Sequence, residues 1–272
     1  MSYTSFKRNK KELSFMKIFD SHCHINDKSF DKDRDEVIKR ANENGITHML
    51  IAGVTIETCL HALEIAEKYS NIYTSVGIHP HDASSCSEET IKKLQKLSES
   101  DYVKAWGETG LDFHRMHSPA DVQEKWLLRQ IDAASEVDLP LIFHERDSEK
   151  RFLEIIKNNR PNSGVVHCFS GTLDEMKAYL DLGLYIGITG VVTILQRGEQ
   201  LRQILQYLPE DRILIETDAP YLAPAPQKNK TRRNEPSFLP GVLQKIAEVK
   251  NMDPKTLSGV IFKNTTDLFM IE

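Results

Sequence analysis

Six side chains that can bind a divalent metal follow short apolar segments of this sequence. Four are imidazoles and two are carboxylates: His22, His24, Glu108, His144, His167 and Asp218. Side chains two residues apart in an extended segment point the same way, so His22 and His24 converge while Cys23 points away. Six ligands exceed the three of a typical mononuclear catalytic zinc, and they suit two cations about 3.5–4 Å apart that share a carboxylate. We therefore predict a two-metal hydrolytic centre.

The predicted ligands divide into two sets that share one residue. The first cation is expected to bind His22, His24, Glu108 and Asp218, and the second Glu108, His144 and His167. Glu108 is thus the predicted bridge. Four imidazoles favour zinc, manganese or iron over magnesium on ligand preference. The cofactors predicted are two divalent cations, with Mg2+, Mn2+ and Zn2+ all left open.

Each of these residues has an ordinary alternative when it is taken singly. A short H-x-H motif occurs by chance on surfaces, Glu108 could cap a helix, and His144 could be a hydrogen-bonded core histidine. Together, however, so many buried ionisable groups cost several kcal/mol unless a cation or protons compensate. The metal centre is therefore the interpretation we favour.

Segments of strand character alternate with segments of helical period along the whole chain. Strands are predicted at 17–20, 47–52, 72–77, 103–107, 139–143, 164–166, 184–188 and 212–215, and helices at 33–44, 56–69, 87–98, 119–137, 147–158, 172–183, 197–207, 236–250 and 254–269. Eight strands alternating with helices predict an α/β fold, a closed (β/α)8 TIM barrel formed as a single domain by residues 17–272. A doubly wound open sheet is the alternative. Barrel enzymes place their reactive groups at the carboxyl ends of the strands, where the six ligands fall.

Composition limits the classes of protein that this chain can belong to. The chain has 272 residues, 40% of them hydrophobic and 28% charged, and a net charge of −5. The acidic total argues against a broad basic surface that coats nucleic acid, but not against a local grip on a few phosphates. Four cysteines without a C-x-x-C pair indicate reduced thiols. We expect a cytoplasmic enzyme with no membrane span, no obligatory protein partner and a flexible basic arm at 1–16.

A series of short motifs lies in a fixed order along the chain. They are FDSHCH (19–24), VGIHPHDA (76–83), WGETGLDF (106–113), LIFHERD (141–147), VVHCFSG (165–171), ETDAPYL (216–222) and RRNEP (232–236). On these motifs the chain resembles the TatD family of metal-dependent deoxyribonucleases, which are amidohydrolase-like TIM barrels. The resemblance implies an enzyme that binds divalent cations and hydrolyses phosphodiester bonds of DNA, as a 3′→5′ exonuclease or a general DNase.

Three residues are predicted to take part in the hydrolysis itself. Glu108 holds the cations, and Asp218 accepts the proton of the attacking water. His79, in the motif GIHPH, is expected to hydrogen-bond the phosphate or to protonate the leaving oxygen. A turn histidine before Pro80 is the alternative for His79.

Basic and aromatic side chains near the same strand ends are predicted to bind the substrate. The polar loop at 223–236 includes Arg232 and Arg233, and Arg146 lies two residues past His144. We expect these arginines to bind phosphates, together with His79, and Tyr221 to stack on a base of a single strand or frayed 3′ end. A solvated run of charges is the alternative for the loop.

Other metal-dependent functions remain as alternatives. An amidohydrolase-type enzyme would cut a C–N or ester bond of a small molecule, but many such enzymes bridge their metals with a carbamylated lysine where this chain has Glu108. Histidinol-phosphatase-like barrels begin with a similar H-x-H and space their later ligands differently. A nucleic-acid-binding module without turnover is a third alternative. We favour DNA hydrolysis.

Overall fold

The computed structural model describes residues 16–271, and the predicted arm at 1–16 lies outside the described residues except for Met16. Eight strands are present in this range: β1 Ile18–Cys23, β2 Ile46–Ile51, β3 Ile72–Val76, β4 Val103–Asp112, β5 Leu141–Arg146, β6 Gly164–Val166, β7 Tyr185–Ile188 and β8 Ile213–Ile215. They belong to one sheet whose neighbours follow chain order from β1 to β8, and the four pairs from β3 to β7 are parallel. This arrangement confirms the predicted (β/α)8 barrel class. The domain boundaries at 1–16 and 17–272 stay a prediction.

Helices alternate with the strands as predicted. The described residues form α1 Arg34–Glu43, α2 Ile56–Ala66, α3 Glu88–Leu97, α4 Ala120–Glu136, α5 Arg151–Asn158, α6 Leu173–Asp181, α7 Glu199–Leu205, α8 Leu239–Lys250 and α9 Pro254–Phe269. The predicted capping box before α6 is present, because the Thr172 hydroxyl accepts from the Glu175 amide while the Glu175 carboxylate accepts from the Thr172 amide. Gly183 ends this segment at φ 84°, which a residue without Cβ adopts at little cost. None of these helices is long and apolar enough to span a membrane.

The chain divides into two compact units, one formed by residues 16–49 and 188–265 and the other by 50–187 and 266–271. In the first unit, β1 lies beside β8, where the Ser21 hydroxyl donates to the Ile215 carbonyl at 3.0 Å. Phe19 packs its ring 5.4 Å from His48 and 6.2 Å from Phe262, which joins β1, β2 and α9. Full burial of one such side chain contributes about 1.5–3 kcal/mol.

The second unit holds β3 to β6 and most of β7 with the helices between them. Its core includes Phe143 of β5, Phe152 of α5 and Tyr179 of α6, whose rings meet edge to face at 5.2 and 5.9 Å. Gln130 of α4 joins the helix layer to β4, because its amide oxygen accepts from the Trp106 indole at 3.2 Å. These contacts hold the strand ends of this unit in place.

Several strands extend further than predicted, and β4 differs most. The sequence predicts an end at Gly107, whereas β4 continues to Asp112 and is buried from Ala105 onward. The residues Glu108 to Asp112 therefore belong to the strand and not to a loop at its end. Their exact positions are set by pairing with β5, and the sequence of β4 alone does not indicate that pairing.

Candidate metal centre

In the first unit, two imidazoles and a carboxylate gather where β1 ends. The Nε2 atoms of His22 and His24 are 3.2 Å apart, and Asp218 Oδ1 lies 3.7 and 3.3 Å from them. His22 is fully buried, and His24 and Asp218 are largely buried. The alternation of β1 thus brings His22 and His24 together as predicted, and the turn after β8 adds Asp218.

The chemistry of these donors fits a divalent cation. A tetrahedral ion with ligands at about 2.0–2.2 Å spaces neighbouring donor atoms about 3.3–3.6 Å apart. The three separations found here lie between 3.2 and 3.7 Å. One cation could therefore be held by His22, His24 and Asp218 with little movement of the side chains.

Backbone and buried side chains fix the position of Asp218. Its amide donates to the His22 carbonyl at 2.9 Å, and its φ of 54° lies in the left-handed region that aspartate tolerates better than most residues. The preceding Thr217 donates from its amide to Asp20 Oδ1 at 2.9 Å, while its carbonyl accepts from Asn234 Nδ2 at 2.8 Å. Burial raises the pKa of Asp20 to about 8, although the hydrogen bonds from Thr217 oppose this rise. Asp20 and Asn234 therefore hold Thr217 in place, and with it the turn that positions Asp218.

In the second unit, the carboxylate of Glu108 lies among imidazoles from three strand ends. Its Oε1 is 2.6 Å from His167 Nε2, 2.8 Å from His144 Nδ1 and 3.5 Å from His79 Nε2. The two nearer nitrogens are 3.3 Å from each other. Protons can occupy these short contacts, and a cation that replaces the protons would meet two nitrogens and one oxygen. This group brings together the three predicted ligands of the second cation; bridging of both cations by Glu108 stays a prediction.

Gly110 allows β4 to approach β5 closely enough to form this group. It pairs with His144 in the parallel register and has a φ of 154°. A Cβ atom at this position would lie 1.8 Å from the His144 carbonyl oxygen, far inside contact distance. A side chain here would push apart the two strands that hold Glu108 and His144.

His79 is placed as a hydrogen-bond donor rather than as a metal ligand. Its Nδ1 accepts from the His81 amide at 3.0 Å, so the proton of the neutral ring is on Nε2, which faces Glu108. Burial lowers the pKa of His79 to about 4, with Glu108 opposing the fall. The ring is therefore neutral at pH 7 and can donate from Nε2. It lies 4.5 Å from the His144 ring, measured between centroids.

Two residues with no role predicted from the sequence, Asp112 and His81, lie beside the second group. Asp112 Oδ2 lies 3.2 Å from His144 Nε2 and 2.7 Å from His81 Nε2. Burial lowers the pKa of His144, but hydrogen bonds to Asp112 and Glu108 outweigh burial and raise it overall. The signal for Asp112 was present, because it is four residues from Glu108 and alternation places both on one face of a strand. It was missed because β4 was predicted to end at Gly107.

The predicted substrate-binding residues lie in different surroundings. Tyr221 is 55% exposed, with its ring edge towards His24 at 5.8 Å between centroids. Arg146 is partly buried at the end of β5 and Arg232 is exposed; neither has a carboxylate partner among residues 16–271. Arg233 instead donates to Asp33 at 2.6 and 2.8 Å and to Glu235 at 3.0 Å. Arg146 and Arg232 have cationic groups available for a phosphate, whereas the contacts of Arg233 stabilise the loop.

Known proteins resemble this chain over nearly its whole length. Residues 19–270 match the model of the family described as TatD related DNase. A protein of Rahnella sp. (strain Y9602) named 3′-5′ ssDNA/RNA exonuclease TatD is 40% identical over 260 residues, covering 93% of this chain and 98% of the relative. The protein of that name from Salmonella typhimurium is 38% identical over 259 residues, with 93% and 99% covered.

Solved structures agree with these sequence comparisons. The crystal structure of YJJV, a TatD homolog from Escherichia coli K12, has a TM-score of 0.86 at 28% identity and covers 94% of this chain and 98% of that one. The hydrolase TatD family protein from Entamoeba histolytica has a TM-score of 0.85 at 26% identity, with 94% and 99% covered.

Proposed function

This chain belongs to the TatD-related DNase family, and from that membership we propose that it is a metal-dependent exonuclease that removes nucleotides from the 3′ end of single-stranded DNA. The observation that supports hydrolysis most directly is the pair of donor groups at the strand ends, each with two imidazoles and a carboxylate. The name shared by its relatives supports the polarity and the single-stranded substrate, and adds RNA as a second substrate to test.

Two divalent cations are the proposed cofactors. His22, His24 and Asp218 would hold one, and Glu108, His144 and His167 the other. Such cations neutralise charge that develops on a phosphodiester and lower the pKa of a water that attacks phosphorus. Glu108 as the bridge is part of the proposal. A measured stoichiometry of two cations per chain supports the two-cation centre, whereas a stoichiometry of one contradicts it.

The protein's own groups have distinct roles in the proposed reaction. A carboxylate oxygen of Asp218 takes the proton of the attacking water. His79 donates a hydrogen bond from Nε2 to a non-bridging phosphate oxygen, which its neutral ring and fixed tautomer allow. Because the ring has no second proton at neutral pH, this role fits His79 better than that of a general acid. Arg146 and Arg232 pair with phosphates further along the strand, and Tyr221 stacks on a base.

We also propose a cytoplasmic location. The sequence has four cysteines far apart and no C-x-x-C pair, a pattern typical of reduced thiols in that compartment. Cell fractionation with an antibody against the chain tests this; recovery with secreted or membrane-bound proteins contradicts it.

The test of the function uses protein stripped with a chelator and refilled in parallel with Mg2+, Mn2+ or Zn2+. A single-stranded DNA oligomer labelled at its 3′ end should release labelled mononucleotide with at least one cation. The double variant His22→Ala, His24→Ala should lose this release. A matched variant, His61→Ala on α2, should retain it, since His61 lies outside both donor groups.

Failure of this test would change the assignment in a defined way. If no cation restores release although the protein binds two cations, DNA hydrolysis is refuted and the donor groups remain. An amidohydrolase-type activity on a C–N or ester bond of a small molecule would then be the next function to assay.

A further inference from the structure

Asp112 is a buried carboxylate that touches a predicted metal ligand without belonging to the predicted ligand set. Its side chain is 1% exposed, and its Oδ2 accepts from His144 Nε2 at 3.2 Å and from His81 Nε2 at 2.7 Å. The other oxygen, Oδ1, accepts from the Arg115 amide at 2.8 Å. Both oxygens are therefore engaged, and the carboxylate has a single orientation.

The backbone of Asp112 is fixed independently of its side chain. Its amide donates to Gln123 Oε1 at 2.8 Å, and Gln123 Nε2 donates to the Ser118 carbonyl at 2.7 Å and to the Asp112 carbonyl at 3.3 Å. The end of β4 is thus bound to α4 through a buried amide. Removal of the negative charge at Asp112 should leave these bonds in place, so an isosteric variant should fold.

We propose that Asp112 is a positioning residue which holds His144 in the tautomer and orientation that present Nδ1 to a cation. The proposal rests on the proposed function in taking His144 as a metal ligand. With a cation at Nδ1 the imidazole has one N–H, and the Asp112 carboxylate accepts that proton at Nε2. The cation would replace the proton that Nδ1 can share with the Glu108 carboxylate at 2.8 Å, and Nδ1 lies 3.3 Å from His167 Nε2.

An outer carboxylate has two effects on a ligating imidazole. It prevents rotation of the ring about its bond to Cβ, and it makes the coordinating nitrogen more basic. In this chain the carboxylate is on β4 and the imidazole on β5, and their pairing register places Gly110 opposite His144. The close approach permitted by Gly110 therefore serves Asp112 as well as Glu108.

His81 competes with His144 for the same oxygen of Asp112. Its ring lies between those of His79 and His117, at centroid distances of 4.2 and 4.6 Å, and its side chain is 32% exposed. Since His81 is more exposed than His144, loss of its hydrogen bond can be replaced by water. The metal affinity should consequently depend on Asp112 and much less on His81.

The experiment measures the affinity of the full chain for Zn2+ alone, in competition with a chromophoric chelator. Asp112→Asn should lower the affinity for one of the two cations by about 10–100-fold and leave the affinity for the other unchanged. A loss of this size is usual when the hydrogen-bond partner of a metal-ligating residue is removed. Glu145→Gln is the matched control, because this carboxylate neighbours His144 on β5 but accepts from Ser148. That variant and His81→Gln should bind both cations as the parent does.

A second comparison separates positioning from a purely structural role. In a His144→Ala background, Asp112→Asn should have no further effect on Zn2+ affinity, because no imidazole remains to be positioned. In the Zn2+ form of the parent, long-range 15N NMR should show His144 protonated at Nε2, and Asp112→Asn should give a mixture of tautomers. The proposal is overturned if Asp112→Asn lowers the affinity for both cations equally, or if it still lowers Zn2+ affinity in the His144→Ala background. A proton on Nδ1 of His144 in the Zn2+ form of the parent would also overturn it.

These readouts do not depend on nuclease activity. If Asp112→Asn gives the expected shift while no nucleotide is released with any cation, the positioning role stands and the proposed function fails. If His144→Ala binds both cations as the parent does, the positioning role fails, whatever the nuclease assay shows.

Discussion

Replacement of Gly110 by alanine tests whether the close approach of β4 to β5 forms the second donor group. The new Cβ would lie 1.8 Å from the His144 carbonyl oxygen and 2.7 Å from its carbon. Since real Cβ contacts essentially never fall below 3.0 Å, the separation must grow by at least 1.2 Å, the difference between 3.0 and 1.8 Å. The atoms in the way belong to the backbone, so no change of rotamer relieves the clash.

The cost has a conformational part and a displacement part. A non-glycine residue held at φ 154° costs about 1–3 kcal/mol before any clash is counted. Displacement of β5 adds to this, so we expect Gly110→Ala to lower the free energy of unfolding by about 3 kcal/mol or more. A shift of this size at His144 also exceeds the roughly 0.2 Å tolerance of a metal–ligand bond, so one cation should be lost.

The assay is urea denaturation of the stripped protein, followed by Zn2+ titration at a temperature where the variant is folded. Gly241→Ala on α8 is the matched control, because a Cβ there meets nothing within 4 Å. Alanine in that helix should leave the free energy of unfolding unchanged or raise it by up to about 1 kcal/mol. If Gly110→Ala changes the free energy of unfolding by less than about 0.5 kcal/mol and the variant binds two cations, the second donor group does not depend on the close approach of β4 to β5.

Three further changes have defined expected outcomes. Asp218→Asn should keep an oxygen that can bind the cation but lose the carboxylate that accepts a proton. The kcat for nucleotide release should therefore fall by about 10²–10⁴-fold while Zn2+ remains bound. A kcat near that of the parent would refute the proton-accepting role. Tyr221→Ala should raise KM for a single-stranded oligomer by about tenfold or more through loss of stacking, whereas Tyr221→Phe should leave KM unchanged; equal KM values for the two variants would exclude stacking. Arg233→Ala should lower the free energy of unfolding by about 1–2 kcal/mol at pH 7, measured by urea denaturation. The hydrogen bond from Arg233 holds the pKa of Asp33 below its usual value, so this stabilisation is complete above about pH 4 and is lost as the pH falls through the folded pKa; a difference between parent and variant that stays constant below pH 4 would contradict it.

The sequence was sufficient wherever the period of a single element determined the geometry. Alternation along β1 predicts that His22 and His24 converge, and their Nε2 atoms are 3.2 Å apart. The capping box at Thr172 and the stop at Gly183 predict α6 closely. These features depend only on residues that are close together in the sequence, so local sequence patterns are enough to predict them.

Features that depend on pairing between distant segments could not be predicted in this way. Glycines in a sequence usually indicate the end of a strand, yet Gly107 and Gly110 lie within β4 because β5 approaches closely there. The role of Asp112 follows from that pairing. The place of Arg233 in a basic loop does not indicate its partner Asp33, which is 200 residues away in the chain; substrate binding by Arg233 stays a prediction. Only the fold brings such partners together.

The most direct test of the proposed function is the product pattern from a single-stranded DNA oligomer labelled at its 5′ end. Stripped protein refilled with Mg2+, Mn2+ or Zn2+ should shorten the labelled strand one nucleotide at a time from the 3′ end, which gives a ladder that descends with time. A phosphorothioate bond at the 3′ terminus should delay the ladder, and the His22→Ala, His24→Ala variant should produce none. Immediate release of labelled mononucleotide, or an intact strand with every cation, would contradict a metal-dependent 3′→5′ exonuclease.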